Sequence, residues 1–145
     1  MTESRDKIKI FLVDDDLVFL RMLEIEFLQL GSFSIHTFTS GELCLAALSE
    51  NPDIIILDYL LDGTDKTAIN GLETLRKIKE HDPNIEVIIL SAQDDIDVAV
   101  NCMHHKAFDY VVKSETAFIR LQTNISKIIT TKNLEKQINW YTDRM

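Results

Sequence analysis

The stretch Ile54-Ile55-Ile56-Leu57-Asp58 decides how the rest of the chain is interpreted. Four consecutive apolar residues, mostly β-branched, are typical of a strand buried on both faces of a parallel sheet. Three other apolar runs end in polar residues, at 10–13 before Asp14 and Asp15, 87–90 before Ser91, and 110–112 before Lys113. A parallel sheet brings the carboxyl ends of its strands to one edge, so we expect these polar side chains to converge there.

The spacing of apolar residues predicts five βα units, and therefore an α/β fold with helices packed on a parallel sheet. Strands are expected at 8–13, 34–38, 53–57, 86–90 and 108–112, and the first four helices at 16–30, 41–50, 71–81 and 94–105. Helical spacing predicts buried faces made by Leu20, Leu23, Phe27 and Leu30, then by Leu43, Ala46 and Ala47, then by Leu72, Leu75 and Ile78.

The expected edge has the composition of a cation and phosphoryl site. Asp14, Asp15 and Asp58 supply the oxygen ligands that Mg²⁺ or Mn²⁺ prefers, directly or through water, and a cation would relieve their mutual repulsion. A phosphoryl group on Asp58, acting as a carboxylate nucleophile, would be neutralised in part by the Lys113 ammonium and hydrogen-bonded by the Ser91 hydroxyl. Taken singly, each of these residues is more often a helix cap or a solvated charge. Their coincidence at four strand ends favours the site.

Five segments carry a family resemblance: FLVDDD (11–16), PDIIILDYLL (52–61), NGLETLRKIK (70–79), VIILSA (87–92) and FDYVVK (108–113). In this order they make roughly the first 120 residues resemble the receiver domain of two-component response regulators. The resemblance implies a flavodoxin-like fold of the chemotaxis-receiver type, a doubly wound five-stranded parallel sheet of strand order 2-1-3-4-5.

The resemblance also implies ligand roles for particular positions. Asp58 corresponds to the phosphoacceptor, Asp14 and Asp15 to the acid pair that holds the cation, and Leu60 to the residue whose backbone carbonyl also ligates it. The phosphodonor would be a histidine kinase or a histidine phosphotransfer protein.

Three further roles follow from the same resemblance. Ser91 and Lys113 correspond to the hydroxyl and the lysine that assist phosphoryl transfer, and Ser91 and Tyr110 to the switch that alters the surface of helix 4, strand 5 and helix 5. The chain is then not an enzyme with an external substrate. It is a phosphoacceptor domain that catalyses its own phosphorylation and a slow dephosphorylation.

Two loops depart from the family pattern. Residues 62–70 carry an insertion of about five residues before Gly71, and both a tolerated surface loop and a loop that reads a partner remain open. Ser114 stands where receivers usually have a proline that makes the preceding bond cis, so we expect the loop that places Lys113 to be built differently.

We expect a receiver domain over residues 1–130 and a C-terminal helical extension or linker over residues 131–145. Its apolar positions form two stripes on nearly opposite helix faces: Phe118, Leu121, Ile125 and Ile128, then Leu134, Ile138 and Tyr141. Either the helix breaks near 130–133, or a longer helix offers its second stripe to a homodimer or to a downstream output domain.

Composition narrows the partners. With 145 residues, of which 46% are hydrophobic, the chain can form one compact core without disulfides, and Cys44 and Cys102 are expected to be buried free thiols. A net charge of −9 argues against direct nucleic-acid binding. No apolar run approaches the roughly 18 residues of a membrane span, so we expect a cytoplasmic protein that binds no membrane.

Two other functional classes are less well supported. An aspartyl-nucleophile phosphatase resembles a pattern with a second Asp two residues after the nucleophile, and Leu60 stands there, which cannot transfer a proton. A receiver that acts only as a scaffold, independently of phosphorylation, would not need the polar set that this chain retains.

Overall fold

The computed structural model describes residues 7–61 and 70–144, with side chains up to residue 135. The strands are β1 (Ile8–Val13), β2 (Phe33–Phe38), β3 (Ile54–Asp58), β4 (Glu86–Ser91) and β5 (Asp109–Val112). The helices are α1 (Leu17–Leu30), α2 (Gly41–Ala46), α3 (Gly71–His81), α4 (Ile96–His104) and α5 (Ala117–Arg144), and a 3₁₀ turn, Leu48–Glu50, follows α2. All strand pairs are parallel in the order β2-β1-β3-β4-β5, which confirms the predicted fold.

The strand register brings the functional strand ends together. Val13 pairs with Leu57, Asp58 with Leu90, and Ser91 with Val112. The residues that follow β1 and β5, and the last residues of β3 and β4, therefore lie side by side at one edge of the sheet.

The sheet separates two apolar cores. Phe11, Val13, Ile55, Leu57 and Ile89 pack on the side of α2, α3 and α4, and Ile10, Leu12, Ile54, Ile56 and Leu90 pack on the side of α1 and α5. Successive side chains of a strand point to opposite faces, so a strand covered on both sides needs an unbroken apolar run. The run 54–57 meets that requirement, with no residue more than 1% exposed.

Two of the predicted buried helix faces were partly wrong. Leu43 and Ala46 are exposed, and Cys44 and Leu48 face the core instead, because α2 ends after six residues and passes into the 3₁₀ turn. Leu30 is also exposed, since Phe27 closes the core one turn earlier by packing against two other phenylalanine rings, Phe33 and Phe118.

The two cysteines are free and buried, as predicted. Burial raises the pKa of the Cys44 thiol to about 12 and that of Cys102 to about 11. Both thiols therefore stay protonated at neutral pH and contribute packing rather than nucleophilic chemistry.

The C-terminal helix is continuous. It runs for 28 residues through the segment 130–133, so a break there is excluded and the alternative of a longer helix is confirmed. Leu121, Ile125 and Ile128 are buried against the sheet, whereas Leu134 is exposed. The side chains of Ile138 and Tyr141, and residues 62–69 of the loop with the predicted insertion, lie outside the described part of the structure. Within the described part, no helix is long and apolar enough to cross a bilayer.

Candidate functional site

Three carboxylates meet at the carboxyl edge of the sheet. Ligand oxygens of Asp14, Asp15 and Asp58 all lie within 4.8 Å of one another, and no other such acidic or metal-ligating group of three occurs among the described residues. Asp14 and Asp58 are 2% and 5% exposed, while Asp15 is half-buried and open to solvent. The predicted cation ligands are therefore brought together, with one accessible side.

The acidic run after β1 divides its work between the site and the next helix. Asp16 is the N-cap of α1, and its Oδ1 accepts the backbone N–H groups of Val18 and Phe19 at 3.0 and 3.2 Å. Asp14 accepts the Asp16 backbone N–H at 2.9 Å, which orients the Asp14 carboxylate. The capping interpretation thus holds for Asp16, and Asp14 and Asp15 remain in the cluster.

Lys113 reaches the cluster from the end of β5. Its Nζ lies 2.9 Å from Asp14 Oδ2 and 3.4 Å from Asp58 Oδ1, and its backbone N–H donates to the Ser91 carbonyl at 2.7 Å. Burial disfavours its charged form, but the hydrogen bond to Asp14 and the charges of Asp58 and Asp14 outweigh burial and raise the lysine pKa. Lys113 is therefore a permanent cation at neutral pH.

The charged form of Asp58 is disfavoured by its crowded, partly acidic surroundings. Burial and the neighbouring charge of Asp14 raise its pKa to about 6, although Lys113 acts in the opposite direction. The cluster combines three acidic side chains with one ammonium, so negative charge is in excess in a partly buried place. Oxygen ligands with excess negative charge are the donor set that Mg²⁺ and Mn²⁺ prefer, so the residues fit such a cation.

The two predicted switch residues are linked through Gln93. The Ser91 Oγ accepts the Gln93 backbone N–H at 3.1 Å, and the Tyr110 hydroxyl donates to the Gln93 carbonyl at 2.7 Å. Both Ser91 and Tyr110 are buried. The linking role of Gln93 was missed from the sequence, because it uses backbone atoms that any residue type except proline would supply.

The backbone after Asp58 is held by close packing at Gly71. The Tyr59 N–H donates to the Leu90 carbonyl at 2.8 Å, and the Gly71 N–H donates to the Tyr59 carbonyl at 2.9 Å. A Cβ on Gly71 would lie 2.6 Å from Tyr59 Cα and 2.8 Å from the Asp58 carbonyl oxygen, so only glycine fits there. The Leu60 side chain is 44% exposed beside this contact, and its carbonyl as a cation ligand stays a prediction.

The loop that follows Lys113 has an ordinary backbone. The Lys113–Ser114 peptide bond is trans. Ser114, Glu115 and Thr116 are exposed, and the loop ends where the Ala117 N–H donates to the Ser114 carbonyl at 3.1 Å.

Comparisons with known proteins agree with this geometry. The family model described as the response regulator receiver domain matches residues 10–138. The chain belongs to the response regulator receiver family. The transcriptional regulator NtrC of Salmonella typhimurium is 37% identical over 105 residues, which are 72% of this chain and 21% of that protein. QseB of Haemophilus influenzae is 34% identical over 106 residues, 72% of this chain and 45% of that protein.

Solved structures place this receiver among the same domains. A BeF3-activated DrrB receiver domain is 31% identical, with a TM-score of 0.73, over 86% of this chain and 98% of that one. NtrX from Brucella abortus is 26% identical, with a TM-score of 0.76, over 92% of this chain and 29% of that one. The family resemblance is confirmed, and the receiver chain spans only about a fifth of the NtrC protein it matches.

Proposed function

We propose that this receiver accepts a phosphoryl group on Asp58 while Asp14, Asp15, Asp58 and the Leu60 carbonyl hold Mg²⁺ or Mn²⁺. The observation that supports it most directly is the buried Asp58 carboxylate, which lies 3.4 Å from the Lys113 ammonium within a cluster of three acids. A carboxylate placed beside a fixed cation, in a cluster whose excess negative charge a divalent cation would offset, suits phosphoryl transfer.

The chemistry follows from the residues present. An Asp58 oxygen attacks the phosphorus of the donor, a new O–P bond forms, and the bond from phosphorus to the donor breaks with its electron pair leaving on the donor atom. Lys113 compensates the charge on the transferred oxygens, and the Ser91 hydroxyl donates a hydrogen bond to one of them. The divalent cation, when bound, supplies the remaining positive charge. The domain thus catalyses its own phosphorylation.

The connection between Ser91 and Tyr110 supports a conformational output. If the Ser91 hydroxyl turns toward a phosphoryl oxygen, its bond from the Gln93 N–H is disturbed, and Gln93 also accepts the Tyr110 hydroxyl. A shift of Gln93 would therefore displace the segment that leads into α4 and change the hydrogen bond from Tyr110 in β5. Exposed apolar residues lie on this side, on α4 and α5: Ile96, Val100, Met103 and Ile119. We propose that a second copy of the chain or an output domain binds this surface.

The phosphodonor protein needs a surface beside Asp58. Helix α1 begins directly after the acidic run and exposes a row of large apolar side chains: Leu17, Val18, Met22, Ile25 and Leu28. Apolar patches of this kind usually mark a protein interface. We propose that a histidine kinase or histidine phosphotransfer protein docks there. The relatives named as DNA-binding regulators suggest a transcriptional output, carried by a part other than this acidic receiver.

Incubation with acetyl phosphate and Mg²⁺, followed by intact mass measurement, tests the proposal. We expect one acid-stable, base-labile phosphoryl group on the wild-type chain and none on Asp58→Asn. Asp109→Asn is the control. It removes a partly buried carboxylate at the start of β5, the end away from Lys113, and this variant should be phosphorylated normally. Labelling of Asp58→Asn would place the acceptor elsewhere. No labelling of the wild-type chain would favour a scaffold that does not depend on phosphorylation.

A further inference from the structure

An aromatic ring lies against the lysine of the site. The Lys113 Nζ is 4.4 Å from the centroid of the Phe19 ring, within the range of a cation–π contact. Phe19 lies in the first turn of α1, where the Asp16 cap accepts its backbone N–H, and its half-buried side chain packs against the core on the α1 and α5 side. The ring is therefore held by the N-terminal cap of α1 and by the core between α1 and α5.

We infer that Phe19 is a positioning residue, whose ring face holds the Lys113 ammonium at Asp58 for phosphoryl transfer. This inference rests on the proposed function. Lysine is a point charge on a flexible four-carbon stem, so its position depends on contacts along and around that stem. The loop after Lys113 offers few of these contacts, because Ser114, Glu115 and Thr116 are exposed and no proline follows the lysine.

A phenyl ring suits this task better than another acid. The ammonium has three N–H donors, and a carboxylate neighbour occupies at least one of them, as Asp14 does at 2.9 Å. The ring attracts the charge through its quadrupole and takes no hydrogen-bonding position from the carboxylates. It adds no negative charge to a cluster that already holds three acids, and it does not compete for a cation. Lys113 can then exchange Asp14 for a phosphoryl oxygen without leaving the ring.

The first measurement is the initial rate of phosphorylation by acetyl phosphate with Mg²⁺. We expect Phe19→Leu to slow it by about three- to ten-fold, since a cation–π contact of this kind contributes on that order, and Phe19→Tyr to stay within about two-fold of wild type. Phe33→Leu is the matched control, because Phe33 packs on Phe27 in the same core and has no contact with Lys113. Its rate should equal that of the wild type.

Two further measurements separate positioning from packing. In a Lys113→Ala background the Phe19→Leu change should have no additional effect on the rate, because its influence passes through the lysine. In the metal-free protein without phosphodonor, the Lys113 ε-methylene protons should show an upfield ring-current shift by NMR that Phe19→Leu removes and Phe19→Tyr keeps.

Three outcomes would overturn the inference. They are an unchanged or faster rate in Phe19→Leu, an equal loss with and without Lys113, or the absence of the ring-current shift in wild type. Failure of the proposed function itself is distinct, because then the wild-type chain would not be labelled at Asp58 at all.

Discussion

Asp58 and Asp109 are both partly or fully buried aspartates at strand ends, and their surroundings are opposite. Asp109 accepts four hydrogen bonds: from Arg120 Nε and Nη2 at 2.9 and 3.0 Å, from Asn124 at 2.9 Å and from the Tyr110 N–H at 2.8 Å. Burial alone would raise its pKa, but these donors, led by Arg120 and Asn124, bring it below the usual value. Asp58 shares one lysine with Asp14, and its pKa rises to about 6.

The comparison separates a carboxylate whose charge is matched by nearby donors from one whose charge is not. Around Asp109 four donors match the acceptor positions of the two carboxylate oxygens, and the network joins β5 to α5. Around Asp58 the acceptors outnumber the donors, which costs stability and suits the cation and phosphoryl group that we propose for this site. The same residue type therefore serves two purposes, and the count of nearby donors distinguishes them.

The largest difference should appear when each aspartate loses its positively charged side-chain partner, Lys113 for Asp58 and Arg120 for Asp109. Lys113→Ala should slow phosphorylation by acetyl phosphate about 100-fold, because it removes the fixed positive charge from the developing phosphoryl oxygens. Arg120→Ala should leave the rate near that of wild type and lower only the free energy of unfolding. Equal rates for Lys113→Ala and Arg120→Ala would show that the two ion pairs do not differ in function.

The second difference is the sign of the effect on stability. The Asp58 pKa is about 6 in the folded protein against an ordinary value of 3.8. Its charged form therefore destabilises the native state above about pH 6, and this destabilisation disappears below about pH 4. Asp58→Asn should therefore raise the free energy of unfolding at pH 8 by roughly 1–3 kcal/mol, and the gain should vanish as the pH falls through this window.

Asp109→Asn should act in the opposite direction. Its folded pKa is lowered, so its contribution is present at neutral pH and is lost on acidification below the ordinary aspartate pKa. We expect a loss on the order of 1 kcal/mol at pH 8. Urea unfolding at several pH values measures both variants. Destabilisation by Asp58→Asn at pH 8 would contradict the interpretation of its pKa.

The third difference concerns the cation. Asp15→Ala should weaken Mg²⁺ binding about ten-fold or more, measured by calorimetry, because it removes one of the three clustered ligands. Asp16→Asn removes a neighbouring negative charge but keeps the helix cap, since asparagine caps as well as aspartate. It should change the affinity far less. A similar loss in both variants would mean that general charge, rather than ligation, binds the cation.

The smallest expected effect concerns water at the site. The exposed Leu60 side chain beside Asp58 can neither orient nor deprotonate a water molecule. Leu60→Asn should therefore hasten the decay of phospho-Asp58 by about three- to ten-fold, whereas Leu60→Met, which stays apolar, should not. The decay is followed by mass after the phosphodonor is removed. An unchanged or slower decay in Leu60→Asn would show that another position controls the access of water.

The residues of the candidate site could be predicted from the sequence better than the contacts that the surrounding residues make. Asp14, Asp58, Ser91 and Lys113 each follow or end an apolar run, and strand-end convergence is a general property of parallel sheets. The Asp109 network could not be predicted, because Arg120 and Asn124 reach Asp109 only after α5 has packed beside β5. The contact between Phe19 and Lys113 joins distant parts of the chain and leaves no local pattern.

Helix details failed for a similar reason. Helical periodicity placed Leu43 in the core, but a six-residue helix followed by a 3₁₀ turn does not keep one face over its length. For α5 the change of stripe was visible in the sequence, yet periodicity alone did not distinguish a break from a continuous helix. Backbone hydrogen bonds continue through 130–133, although the apolar face changes there.

The glycine contact after Asp58 has a consequence for how receivers of this kind can diverge. The Gly71 N–H and the Tyr59 carbonyl bring the two ends of the 60–70 segment to one point, next to Asp58. Once the ends of a segment are joined, lengthening it costs little free energy, and the added residues do not strain what lies outside the closure. The segment can therefore gain or lose residues, and so acquire new recognition properties, while the cluster around Asp58 keeps its geometry.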